Sequence, residues 1–86
     1  MDKNYITFIL AYDYGDVFER MELACDEAYD LAEEIANRFL KYMEGIYLNE
    51  YKGIYLSEYN CSEYEILQEY CDSISFEEIW GEMKGK

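Results

Sequence analysis

The sequence predicts a single compact α+β domain with the element order β-α-β-β-α-α, in which a long acidic amphipathic helix packs on a small sheet. Three observations predict it: a β-branched and aromatic run over Tyr5–Tyr12, a helical pattern over 17–43, and an eight-residue repeat over 45–60. With 86 residues, of which 51% are hydrophobic, the chain is long enough for one modest core. No proline and no low-complexity tract divides it, so we expect residues 1–86 to form one domain.

The first element is predicted to be a buried strand over Tyr5–Tyr12. Its residues are mostly β-branched or aromatic, and the turn-forming segment Asp13–Gly15 follows directly. In a strand, Ile6, Phe8 and Leu10 would share the buried face.

A long helix is predicted next, with Asp16 as its N-cap, an end near Met43 and Gly45 as the stop. Glu19 would complete a capping box at its start. At ~100° per residue, the apolar residues of this segment fall on one arc, which predicts the face that packs on the core. These residues are Val17, Met21, Ala24, Ala28, Leu31, Ala32, Ile35, Phe39 and Met43.

The repeat then predicts a β-hairpin, because Gly45–Lys52 is echoed by Gly53–Asn60 with a period of eight. A loop with an odd number of residues, 51–53, places the aliphatic residues of both strands on one face. It also puts Gly53 at the position of the turn that favours a left-handed residue. Tyr47 and Tyr55 would lie together on the opposite, exposed face. Two C-terminal helices follow, each opened by a capping box: Ser62 with Glu65, and Ser75 with Glu78.

Charge and composition exclude several classes of function. The formal net charge of −13 argues against direct nucleic-acid binding, which requires lysine and arginine. The absence of histidine removes the common zinc sites and the Ser-His and Cys-His nucleophiles, so we predict no enzyme, no metal and no cofactor. The three cysteines lack a Cys-x-x-Cys spacing, we expect no signal peptide, and the longest apolar run is too short to span a bilayer. We therefore expect a cytoplasmic protein.

The most informative pattern is a stripe of seven acids on the predicted long helix, opposite its core face. At ~1.5 Å per residue they would place about one charge per 3 Å, close to the one per ~3.4 Å of a single DNA strand. Several are like-charged i,i+4 pairs, which cost roughly 0.2–0.5 kcal/mol each. The stripe consists of Glu19, Glu22, Asp26, Glu27, Asp30, Glu33 and Glu34.

Two ordinary interpretations of the stripe stay open: a solvated polar face, and the acidic surface of a salt-adapted protein. The eleven tyrosines form a second pattern. Tyrosine supplies large contact area at low entropic cost, so Tyr47 and Tyr55 are candidate partner contacts. Their alternative role is to fill a small core.

In size, charge and compactness the chain resembles the small phage-encoded anti-CRISPR and antirestriction proteins that mimic DNA. The resemblance is to this class of proteins, and it rests on the acidic stripe, the acids of the last two helices and the Tyr-rich hairpin. It implies an inhibitor in an infected bacterium that blocks the basic nucleic-acid groove of a CRISPR effector or a restriction enzyme. The alternative function is an antitoxin-like or subunit-binding module that docks through the Tyr47 and Tyr55 face. An enzyme, recognisable by a cleft with a carboxylate of raised pKa, is a third possibility.

Overall fold

The computed structural model describes residues 2–50 and 63–85, and this part of the chain is helical with no strand. The predicted α+β class is therefore wrong, because the part of the chain that the structure describes is a small all-helical arrangement. In chain order, the helices of the described ranges are α1 (Lys3–Asp13), α2 (Gly15–Arg20), α3 (Cys25–Glu50), α4 (Glu63–Asp72) and α5 (Phe76–Lys84).

Helix α1 stands where the first strand was predicted. Its N-cap is Asp2, whose carboxylate accepts a hydrogen bond from the Asn4 backbone N–H at 3.1 Å. Ile6 and Leu10, four residues apart, are buried in the core, whereas Phe8 is exposed. A strand would have placed these three side chains on one face, so their burial follows the helical period. Packing thus overrides the β propensity of this run.

The predicted helix over 17–43 is interrupted at Met21–Ala24. Glu22 has φ 62°, the left-handed conformation that usually requires glycine. The Leu23 N–H bonds to the Phe18 carbonyl at 3.2 Å and the Glu22 N–H bonds to the Glu19 carbonyl at 2.9 Å. These two bonds form a Schellman motif that ends α2.

Helix α3 starts again immediately, with part of a capping box. The side chain of Glu27 reaches back and accepts a hydrogen bond from the Ala24 backbone N–H at 2.9 Å. The helix then continues to Glu50, past Gly45, whose φ is not positive. The first strand of the predicted hairpin is therefore wrong, because 46–48 are helical. The rest of the hairpin, with its loop and Tyr55, lies outside the described residues.

The core forms where α1, α4 and α5 meet one face of α3, and α1 and α3 share the most extensive contact among the described helices. The predicted core arc of α3 is confirmed from Leu31 to Met43. Val17, Met21 and Ala28 are only partly buried, and Ala24 is exposed. The buried apolar side chains are Ile6, Leu10, Phe18, Leu31, Ala32, Ile35, Ala36, Phe39, Met43, Ile66, Leu67, Cys71, Phe76 and Ile79.

The two predicted C-terminal helices are confirmed as α4 and α5. Ser75 caps α5, since its hydroxyl accepts a hydrogen bond from the Glu78 N–H at 3.2 Å. Ser62, the predicted cap of α4, lies outside the described residues. Aromatic rings attach both helices to the rest: Tyr70 lies 5.6 Å from Phe39, and Phe76 lies 5.2 Å from Tyr14, between ring centroids. None of the helices in the described ranges combines the length and apolarity needed to cross a membrane.

Candidate functional site

The seven predicted acids do not lie on one rod. Glu19 is on α2, and Glu22 is in the turn between α2 and α3. The prediction of a continuous stripe is therefore wrong for these two residues, because the Schellman motif at Glu22 ends α2 before α3 begins. The five that share α3 are called the acidic face here: Asp26, Glu27, Asp30, Glu33 and Glu34.

The acidic face occupies an arc of about 120° on α3, opposite the buried side chains of Ile35 and Phe39. It extends along about 12 Å of helix axis, compared with about 22 Å for the predicted stripe. Its five charges lie about 3 Å apart along the axis, somewhat closer than the roughly 3.7 Å of the predicted stripe. The face matches the length of roughly four nucleotides of a single strand, so the shortening reduces the extent of the imitation but not its charge density.

Three of the five carboxylates have partners within the protein. Glu33 lies 3.6 Å from the Lys3 ammonium of α1, and Glu34 lies 2.9 Å from Nε of Arg38. The Glu27 carboxylate accepts a hydrogen bond from the Ala24 N–H at the start of α3. Asp26 and Asp30 are exposed, and no cation of residues 2–50 or 63–85 lies within 4.0 Å of either.

These ion pairs reduce the negative charge of the face only in part. Each involves partly exposed side chains, and such pairs contribute about 0–1 kcal/mol and exchange readily with solvent. Arg38 is also shared, because its Nη2 donates to Glu82 at 2.8 Å. Hydrogen bonds to Glu82 and Glu34 raise the pKa of Arg38, which keeps it cationic. Among the described residues, the five carboxylates of the acidic face thus have two neighbouring cations, Lys3 and Arg38, and Arg38 also pairs with Glu82.

An aromatic side chain lies at the edge of the acidic face. Tyr29 is 48% exposed, and on α3 it follows Asp26 by three residues and precedes Glu33 by four, so both carboxylates flank it. The sequence analysis missed Tyr29 because it falls between the core arc and the acid stripe. Tyrosine is enriched among the residues that contribute most of the binding energy at protein interfaces, so Tyr29 is a candidate partner contact.

The two tyrosines that were predicted to bind a partner are not brought together in the described structure. Tyr47 lies in α3, so its predicted position on a hairpin strand is wrong, and Tyr55 lies outside the described residues. The predicted Tyr face of the hairpin therefore has no counterpart in this part of the chain.

A second surface, which the sequence analysis also missed, lies on α1. Tyr5, Phe8 and Tyr12 are 60%, 66% and 79% exposed and occupy an arc of about 60° opposite Ile6 and Leu10. We call these three residues the aromatic face. Their i, i+3, i+7 spacing was visible in the sequence, but the assignment of a strand concealed it.

The described residues contain no group of three or more cysteine, aspartate or glutamate side chains placed to hold a metal ion. Comparisons with protein-family models, with curated protein sequences and with solved structures returned no match.

Proposed function

We propose that the protein is a binding inhibitor whose acidic face occupies a basic groove of a larger protein and excludes the nucleic acid that this groove would otherwise hold. The observation that carries the proposal is the pair Asp26 and Asp30, exposed one turn apart on α3 with no described cation within 4.0 Å. Like charges at this spacing are unfavourable in an isolated helix, and a lysine or arginine from a partner would relieve the repulsion.

The electrostatics of the whole chain support the same partner chemistry. A formal net charge of −13 produces a field that attracts cationic surfaces from a distance and repels nucleic acid and anionic lipid. Complementary charge of this kind mainly raises the association rate and selects the partner. Tyr29 would supply the short-range contact once the charges have oriented the two surfaces.

The charge density of the acidic face supports mimicry of a nucleic-acid strand. Lysines and arginines that line a nucleic-acid groove are spaced to meet phosphates, and carboxylates at about one per 3 Å of axis present a comparable row. On the class resemblance described above, the target would be a CRISPR effector or a restriction enzyme, and the protein would act in the cytoplasm of an infected bacterium.

The test is capture of proteins from bacterial lysate by the immobilised chain, at low and high salt, followed by elution with duplex DNA. The variant is Asp26→Asn with Asp30→Asn. Its matched control is Glu69→Gln with Glu77→Gln, which removes the same charge from exposed positions on α4 and α5. We expect a protein retained by the wild type and the control, lost with the variant, and released by salt and by DNA.

Equal loss with both double variants would show that only total charge matters and would refute a role for the acidic face. A partner that resists salt, ignores DNA and still binds the Asp26→Asn, Asp30→Asn variant would instead support the alternative function of a module that docks through aromatic side chains. Thermal unfolding of each variant checks that the fold is retained.

A further inference from the structure

The aromatic face on α1 is the largest feature that the proposed function does not use. Residues 4–12 carry no charged side chain in a chain of net charge −13. The three exposed rings lie within this uncharged stretch, and α1 has its opposite side in the core with α3. The aromatic face and the acidic face therefore lie on different helices, each on the side turned away from the core.

We infer that the aromatic face is a self-association surface, on which a second copy of this chain packs its own α1 in antiparallel orientation. An isologous contact of this kind places the same patch of both copies together. Antiparallel packing about a point between Phe8 and Ile9 sets Tyr5 of one copy against Tyr12 of its partner, with the two Phe8 rings at the centre.

Charge favours a second copy over a basic partner at this surface. No carboxylate lies within 4–12, so a cationic protein would find no counter-charge there, while a second copy would bury no carboxylate against another. Antiparallel packing also opposes the two helix dipoles.

The exposed area is consistent with a weak dimer. A fully buried aromatic side chain covers 150–250 Å², so at their exposed fractions these three rings present roughly 400 Å² in each copy. Two copies would remove roughly 800 Å² of ring surface from water, about half of a standard interface, and the flanking residues of α1 would add to it. Repulsion between two chains of charge −13 opposes association at low salt.

Sedimentation velocity on the full chain, over a range of concentrations at low and high salt, tests the inference. We expect a dimer fraction that rises with concentration and also with salt, since salt screens the repulsion. This salt dependence is opposite to that of the proposed partner contact, so the two claims can fail separately.

Phe8→Gln is expected to weaken dimerisation roughly tenfold or more, because Phe8 lies at the centre of the contact. Tyr29→Gln is the matched control, an exposed aromatic on α3, and should leave dimerisation unchanged while it weakens partner capture. Because Phe8 is 66% exposed, its replacement should preserve the helical circular dichroism signal and the Tm. Tyr12→Gln, at the most exposed of the three positions, provides a second variant.

A disulfide test addresses the orientation. Under mild oxidation an equimolar mixture of the single variants Tyr5→Cys and Tyr12→Cys should form crosslinked dimers, and each single variant alone should not, because positions 5 and 12 face each other only in antiparallel packing. Wild type treated identically reports any crosslink through the native cysteines.

Several results would overturn the inference: a wild type that stays monomeric at every salt concentration, equal weakening by Phe8→Gln and Tyr29→Gln, or crosslinking of the single cysteine variants. So would a monomer that binds neutral phosphatidylcholine vesicles through Phe8, since that would make lipid the occupant of the aromatic face.

Discussion

Arg38 joins α3 to α5 by donating from Nη2 to Oε1 of Glu82 at 2.8 Å, while its Nε donates to Oε2 of Glu34 at 2.9 Å. One guanidinium therefore links two helices through Arg38 and Glu82, which are 44 positions apart in the chain. The planar fork of arginine suits two such bonds at once, and lysine cannot reproduce both.

We expect Arg38→Gln to lower the free energy of unfolding by about 1 kcal/mol, because the pairs are partly exposed. Arg20→Gln, at an exposed position with no ion pair in the described part of the chain, should change it by less than about 0.5 kcal/mol. Urea denaturation measures both. A double-mutant cycle with Glu82→Gln should give a coupling energy above zero, and a coupling of zero would contradict the link between α3 and α5.

Glu22→Gly should stabilise the protein by about 1 kcal/mol, because glycine adopts the left-handed conformation at φ 62° without the penalty that other residues incur. Glu22→Gln removes the same charge and keeps the penalty, so it should change stability little. Thermal and urea unfolding of the two variants give the comparison. If the helix ran unbroken from 17 to 43, glycine at this position would instead destabilise it by about 1 kcal/mol.

Ser75→Ala should cost about 1 kcal/mol, because the hydroxyl that caps α5 by accepting from the Glu78 N–H is lost. Ser75→Asp restores an acceptor and should recover most of the stability. Ser73→Ala serves as the control, since the Ser73 hydroxyl donates to the Tyr70 carbonyl on the surface and caps no helix start. Equal losses at Ser73 and Ser75 would contradict the capping role.

Stability should fall in alkaline solution from about pH 9, because burial raises the pKa of the Cys71 thiol from 9.0 to about 11. The folded state then retains the proton that the unfolded state has lost, so stability is complete below pH 9 and declines up to the folded pKa. One such group gives a slope of at most about 1.4 kcal/mol per pH unit.

Cys71→Ala should flatten this decline between pH 9 and 10, whatever its effect on stability at neutral pH. Urea denaturation at a series of pH values measures the slope. Tyr14, which hydrogen-bonds to Cys71 and whose pKa burial raises as well, contributes only above pH 10. A slope that the Cys71→Ala variant retains in full would contradict the assignment to Cys71.

The sequence predicted those parts of the fold in which polar and apolar residues alternate with a clear period. The core face of α3 from Leu31 to Met43 and the cap at Ser75 could be recognised, because each leaves a local pattern. Helix α1 could not, since residues 5–12 carry no charge and the exposed rings are as apolar as the buried side chains, so no polar face marks a helical period. Only the contact with α3 decides which of its side chains are buried.

The candidate site could likewise be predicted only in part. The spacing of the acids from Asp26 to Glu34 followed from helical geometry and is retained in α3. The positions of Glu19 and Glu22 did not, because the left-handed residue that ends α2 is a glutamate and glycine is the usual marker of such an end. The pairing of Glu33 with Lys3 joins two helices and has no local pattern in the sequence.

Trp80, the single tryptophan of the chain, lies half-buried on α5 with the Lys84 ammonium 5.8 Å from its ring centroid. Its fluorescence therefore monitors the packing of α5 against the core, whereas circular dichroism monitors the total helix content. A denaturation experiment that records both signals would reveal whether the C-terminal helix detaches before the remainder melts, without any extrinsic label.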